Sequence, residues 1–197
     1  MKDNDRMRRL ECAGFSLVEL LVAITIMAAL TGILTAVLIA SERTQRRTMS
    51  RAEVQAGGRQ TITLMATELR QAGSDPRIPP IGVVGVVAAD SQSVRIRADL
   101  DADGAIETTE PSEDISFTYD ADAQVVYRDP GTGAEVLQNN VTDLRFTYFD
   151  SANLPLTTLP LSADDRSLVH SIGLTMTCDT RDSYPLTLTT RITLRNQ

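Results

Sequence analysis

Tryptophan is absent from this 197-residue chain, and histidine occurs once, as His170. A lone imidazole leaves little for histidine-rich metal sites or histidine-based acid–base catalysis. No Ser-His-Asp spacing, C-x-x-C pair, Walker-type phosphate loop or G-x-G-x-x-G segment occurs either. That poverty argues against an enzyme. Basic charge is also short: the net charge is −7 and the sequence pI is near 4.7. A generally basic surface for gripping nucleic acid is therefore missing, and no nucleic-acid partner is expected.

Cysteine is nearly missing too, with only Cys12 and Cys178. A secreted domain stapled by disulfides carries an even set of paired cysteines. Cys12 lies in a segment read below as removable, so the remaining domain must be held by its own apolar core. Cys178 then reads as a small buried residue on a strand.

What the chain does have is an unusual N-terminus. Residues 1–14, MKDNDRMRRLECAG, are polar and rich in charge. A run of 21 residues without a charge follows, from Leu20 to Ala40, with Thr25, Thr31 and Thr35 as its only polar side chains. As a helix this run covers about 30 Å, enough for a hydrocarbon core. Helix is the only open-chain way across, because lipid cannot satisfy stray backbone groups. An ordinary signal peptide has a shorter apolar core and a small-residue cleavage site after it. Here bulky Leu38 stands near the end of the run, and the small residue inviting cleavage, Gly14, precedes it.

The string Gly14-Phe15-Ser16-Leu17-Val18-Glu19-Leu20 resembles the prepilin processing motif of type IV pilins and type II secretion pseudopilins. The resemblance implies that a prepilin peptidase cuts after Gly14 on the cytoplasmic face and N-methylates Phe15. It partitions the chain into a leader (1–14), a membrane helix (15–40), a helical extension (41–73) and a β-rich head (74–197). Glu19 fits this frame. A carboxylate near the bilayer centre costs on the order of a few kcal/mol, and less near the interface. Glu19 either snorkels to the headgroups or, as the family implies, pairs with the Phe15 amine of a neighbouring subunit during assembly.

Beyond the span, Arg43, Arg46, Arg47 and Arg51 form a basic collar, so charge alone does not orient the helix. The family implies a single-pass inner-membrane protein with its N-terminus inside and its head outside the cytoplasm, destined for a filament. The collar reads as a solvated helix face or as a contact with lipid headgroups. Gly57-Gly58 is expected to break or bend the helix. After it, Ile62, Met65, Ala66, Leu69 and Ala72 form one apolar stripe, the helix's seat on the head. Gly73 and the prolines at 76, 79 and 80 end the helix. The remainder alternates with period two, as in Val94-Arg95-Ile96, Ile115–Tyr119, Gln124–Tyr127, Leu144–Phe149, Ser171–Cys178 and Leu186–Leu194. The predicted fold class is α+β: a long N-terminal helix, then a meandering antiparallel sheet covering it.

Three stretches resemble the PilW-like minor pilins and the pseudopilin J group: Glu68–Gly73, Val141–Asp150 and the late strand ending in Arg195-Asn196. The resemblance implies a tip complex that primes filament assembly, with other minor pilins and the major pilin or pseudopilin as partners. In pilus systems that complex also carries adhesins. Text rich in Trp often follows the Asp-Leu segment of the pseudopilin J group, and its absence here favours the pilus. Glu19 argues for a position below the very tip, because the most apical pseudopilin typically lacks that carboxylate.

Finally, residues 99–110 match a twelve-residue calcium loop. Asp99, Asp101 and Asp103 take positions 1, 3 and 5, and Gly104 takes position 6. Ala105 offers its carbonyl, Ile106 anchors the loop, Glu107 acts directly or through water, and Glu110 closes the site. Alternate carboxylates converge on one hard cation, here calcium in a structural role. No flanking helix pair exists, however, and a solvated acidic turn accounts for the same residues.

Overall fold

The computed structural model describes residues 16–80, 82–107, 113–180 and 185–195. It divides into two compact units, Met1–Arg46 and Arg47–Gln197. One helix, α1 (Leu17–Gln71), contributes to both. The expected stripe is the seat: Met65, Leu69 and Ala72 are fully buried, and Ile62 and Ala66 pack against the same core. The helix stops where glycine permits it. Gly73 takes the left-handed region (φ 75°), and its N–H donates to Arg97 O at 2.8 Å.

Gly57-Gly58 does not break α1; the helix runs through it. Its role is close approach. A Cβ at Gly58 would stand 2.9 Å from Leu188 Cδ1 and 3.5 Å from Met176 Cε, and one at Gly57 3.2 Å from Gln138 Oε1. Helix propensity lost at two glycines, about 1 kcal/mol each, is offset by letting the strands come close to the backbone.

The strands form two antiparallel sheets rather than one meander. The first runs in sequence order: β1 (Val86–Ala89), β2 (Ser93–Arg97), β3 (Asp114–Asp120), β4 (Val125–Asp129) and β5 (Glu135–Asn139). The second comprises β6 (Val141–Phe149), β7 (Pro155–Leu156), β8 (Ser171–Cys178) and β9 (Leu186–Thr193), in the order β7-β6-β8-β9. Asn140, with φ 58°, separates them. Asparagine tolerates that region better than most residues, and the chain changes sheets there. A five-residue helix, α2 (Ala163–Ser167), is capped by Ser162, whose Oγ accepts from Asp165 N.

Alternation decides which residues are inside. Val94 and Ile96, then Ile115, Phe117 and Tyr119, then Leu144, Phe146 and Tyr148, then Ile172, Leu174, Met176 and Cys178 all point into one core. Burial pushes the Cys178 thiol up from its ordinary value, as expected of a packing residue rather than a nucleophile. The β1–β2 turn joins the sheets. Gln92 O accepts from Tyr119 N at 3.0 Å, and Ser91 O accepts from Phe146 N at 2.8 Å. Tyr148 Oη adds a bond to Asp90 O at 2.8 Å.

Two ionic contacts brace this unit. Arg128 grips Glu68 with both carboxylate oxygens engaged at 2.8–3.1 Å, tying α1 to β4. The buried Asp114 carboxylate accepts from Arg95 Nε at 2.6 Å, Arg95 Nη2 at 2.7 Å and Arg97 Nε at 2.9 Å. Burial pushes the Asp114 carboxyl up, but the two guanidiniums outweigh it and hold the pKa below the ordinary carboxylate value of 3.8. A depressed folded-state pKa contributes stability above the unfolded value and loses it as pH falls through the folded one. Asp114→Asn is therefore expected to destabilise the protein by about 2 kcal/mol at pH 7. Chemical denaturation at stepped pH should show the gap to wild type closing below about pH 4. A gap that widens on acidification would sink this account.

Candidate functional site

The helix start is built for an apolar surrounding. Leu17, Val18, Leu20, Leu21, Ile24 and Met27 are all exposed, as is every large apolar residue onward to Ile39. Such a surface is far larger than a soluble protein leaves uncovered, and α1 is long and apolar enough to cross a membrane. Its three threonines cost little there, because each hydroxyl donates back into the helix. Thr25 Oγ1 reaches Val22 O at 2.8 Å, Thr31 reaches Met27 O at 2.7 Å, and Thr35 reaches Thr31 O at 2.7 Å.

Glu19 is the one charge on this apolar surface before Glu42. It lies in the first turn, where Glu19 N and Leu20 N both donate to Ser16 O at 3.0 and 3.1 Å. A carboxylate here meets the positive end of the helix dipole. Its side chain is exposed. Gly14 and Phe15, the two expected processing residues, lie outside the described residues.

The acidic loop is ordered by its own backbone. Asp99, fully buried, accepts from Ala102 N at 2.8 Å and Gly104 N at 3.1 Å. Asp101 accepts from Asp103 N at 3.0 Å, and Asp103 from Ala105 N at 2.7 Å. Gly104 has φ +85°, and a Cβ there would collide with the Arg77 guanidinium, whose Nη1 donates to Asp103 O at 3.0 Å. Among the described residues, two of the expected carboxylates, Asp99 and Asp101, gather with Glu113. Their oxygens lie within 4.8 Å of one another. The Asp103 and Glu107 carboxylates stand outside this group, and Glu110 lies outside the described residues.

Glu113 escaped the sequence reading because the twelve-residue template ends at Glu110. The signal that finds it is strand register. Ile96 pairs with Ile115, and Ala98 N donates to Glu113 O at 3.0 Å, which sets Glu113 beside Asp99. Its oxygens accept from Leu100 N at 3.0 Å and Glu107 N at 3.4 Å. A carboxylate has about four lone-pair positions, so these bonds leave acceptor capacity on all three groups.

Residues 9–35 match the family model of the prokaryotic N-terminal methylation motif. That stretch takes in the end of the basic segment, the Gly14–Phe15 junction, Glu19 and the first turns of the span. No curated protein matches the chain. The methylation motif supports a type IV pilin-like prepilin, and with it processing by a prepilin peptidase, membrane anchoring and assembly with other pilins. The α+β architecture, a long apolar N-terminal helix followed by antiparallel sheets, is pilin-like. Such a chain suggests a structural rather than an enzymatic role.

Proposed function

We propose that the protein is a minor pilin that helps initiate and cap a type IV pilus as part of a tip complex. One observation carries the reading: within the methylation-motif match a single carboxylate, Glu19, stands in the first turn of a helix whose next 21 residues, Leu20 to Ala40, are uncharged and exposed. A carboxylate there is worth its desolvation only if something neutralises it. Cleavage at Gly14 would supply the Phe15 amine of an adjacent subunit. The head would then remain outside the cytoplasm, with the helix drawn from the inner membrane into the filament.

Glu19→Ala is expected to leave the head folded and the chain in the membrane, while lowering its recovery in sheared filaments at least tenfold. Normal incorporation at native expression would remove the assembly role. Loss of protein secretion with pili intact would instead favour a J-like pseudopilin of a type II secretion system. Normal assembly with lost surface attachment would favour an adhesive head.

A structural calcium ion on Asp99, Asp101 and Glu113 belongs to the same proposal, supported by their convergence. Hard cations take oxygen ligands from carboxylates and backbone carbonyls, and extracellular modules bind calcium with Kd on the order of 10⁻⁴–10⁻³ M. The detergent-solubilised chain should melt higher in calcium than in chelator, by about 1.4 kcal/mol of stabilisation at ten times Kd. Asp101→Ala, at an exposed position, should erase that difference with little change in chelator. Calorimetry that detects no binding at millimolar calcium removes the ion and leaves a self-bonded acidic turn.

A further inference from the structure

An outer strand of a sheet offers its backbone groups to other chains unless it is short, irregular or covered. Among the described residues, three of the four outer strands meet that condition. β1 has four residues and a register shift, and Ala89 O accepts from Leu161 N at 2.9 Å. β5 has five residues and a register shift, and its Gln138 lies against Gly57 and Thr61 of α1. β7 has two residues. β9 is different. Its eight residues pair with β8 without a shift, none is proline or lysine, and among the described residues no strand lies beyond it. Its one charge, Arg191, sits 3.8 Å over the Phe149 ring, on the sheet face rather than along the edge. Leu194 N donates to His170 O at 3.0 Å, and backbone groups alternate sides along a strand. The N–H and C=O of Thr187, Thr189, Arg191 and Thr193 therefore face outward. The core is also unfinished at this edge: Leu186 and Leu188 stay half-buried on the face where Ile192 is fully buried.

We infer that the outer edge of β9 is a strand-addition site for an extended segment of a different protein, one whose residues alternate apolar and small polar. A row of outward N–H and C=O groups at strand spacing is matched by another extended backbone. Side-chain alternation sets the rest. Apolar residues complete the core face beside Leu186 and Leu188. Threonine-like residues continue the hydroxyl contacts of Thr177 with Thr187 at 3.1 Å and of Thr175 with Thr189 at 3.4 Å. A second copy does not fit. Its other outer strands are closed, so it has only β9 to offer. Antiparallel pairing of two β9 strands needs a two-fold axis perpendicular to the sheet. α1 lies along the core face through Gly58, Met65 and Leu69, and that axis would reverse it. The copies would then lead toward their membrane segments in opposite directions. Parallel pairing would turn one sheet over and set Leu188 beside the threonines of the other copy's solvent face. This exclusion rests on the membrane-anchored assembly reading above, whereas the open edge does not.

The test uses the full chain in detergent, with a short synthetic peptide of alternating valine and threonine as the probe. Residue-resolved hydrogen exchange is the readout. In the chain alone the amides of Thr187, Thr189, Arg191 and Thr193 should exchange fast, and those of Leu188, Thr190 and Ile192 slowly. Saturating peptide should slow the first group at least about tenfold and leave the second unchanged. The same peptide N-methylated throughout cannot donate, and it should give no slowing. Thr189→Pro removes an outward N–H and no bond to β8. That variant should melt within a few degrees of wild type and lose the slowing. No slowing with the unmethylated peptide overturns the inference, as does equal slowing with the methylated one. Outward amides already slow in the chain alone overturn it too, in favour of a second copy if dilution speeds them. The two readings fail separately. Normal filament incorporation of Glu19→Ala, with the peptide still slowing these amides, removes assembly through Glu19 and leaves the edge. Exclusion of Glu19→Ala from filaments, with no slowing, removes only the edge.

Discussion

Gly85→Val is expected to abolish accumulation of folded protein, and even Gly85→Ala should cost several kcal/mol. Gly85 lies against the turn that ends α1. A Cβ built on it would stand 2.6 Å from Gly73 N and 2.9 Å from Ala72 C. Both are backbone atoms, so no side chain can swing aside to relieve the contact. The same spot carries two backbone bonds, Gly73 N to Arg97 O at 2.8 Å and Arg97 N to Gly85 O at 2.9 Å. Displacing the helix end would strain both. Overpacking in a tight core typically costs 1–3 kcal/mol and more where backbone must move. Denaturant melts of the Ala variant in detergent provide the measure, with Gly58→Ala as the control. At Gly58 the nearest atom is the flexible tip of Leu188, and the helix gains about 1 kcal/mol of propensity. Equal stability of the Gly85 variant and wild type would show that the α1 end does not pack as described.

Gly14→Val should block processing completely while leaving membrane insertion intact. The methylation motif spans this junction, and insertion depends on the apolar run that follows it. In cells with an active prepilin peptidase, N-terminal mass analysis of the wild-type chain should find methylated Phe15, with Cys12 gone along with the leader. The variant should retain Met1 and its leader, and it should be missing from filaments altogether. A processed valine variant, or a wild type recovered unprocessed, would contradict the expected cleavage.

How much of this was legible beforehand depends on the range of the interactions involved. The α1 stripe and strands β2, β3, β4, β6, β8 and β9 follow from local periodicity, since one buried face imposes period 3.6 or 2 on nearby residues. Strands β1, β5 and β7 carry no such signal. Val86-Val87-Ala88-Ala89 is uniformly apolar, β5 is mostly solvent-facing, and β7 has two residues. The split into two sheets was hidden because it is decided by which strands pair across long separations. Likewise, Gly57-Gly58 has the composition of a helix breaker, and only contact with Leu188 and Gln138, far along the chain, shows it as a seat. The string from Gly14 to Leu20 is contiguous, and the motif match over residues 9–35 spans it. The acidic cluster was half readable: Asp99 and Asp101 are local, whereas Glu113 arrives through β2–β3 register.

The β1–β2 turn has a consequence for how the head comes apart. Ser91 and Gln92 bond to strands of different sheets, and Tyr119 Oη, from the first sheet, bonds to Val141 O in the second at 2.9 Å. Neither layer can peel away while the other stays intact, because peeling one exposes buried donors belonging to both. Opening either sheet alone therefore breaks bonds that hold the other, which couples the unfolding of the two. That coupling disfavours states in which one sheet is open and its bare strand edges are offered to other chains.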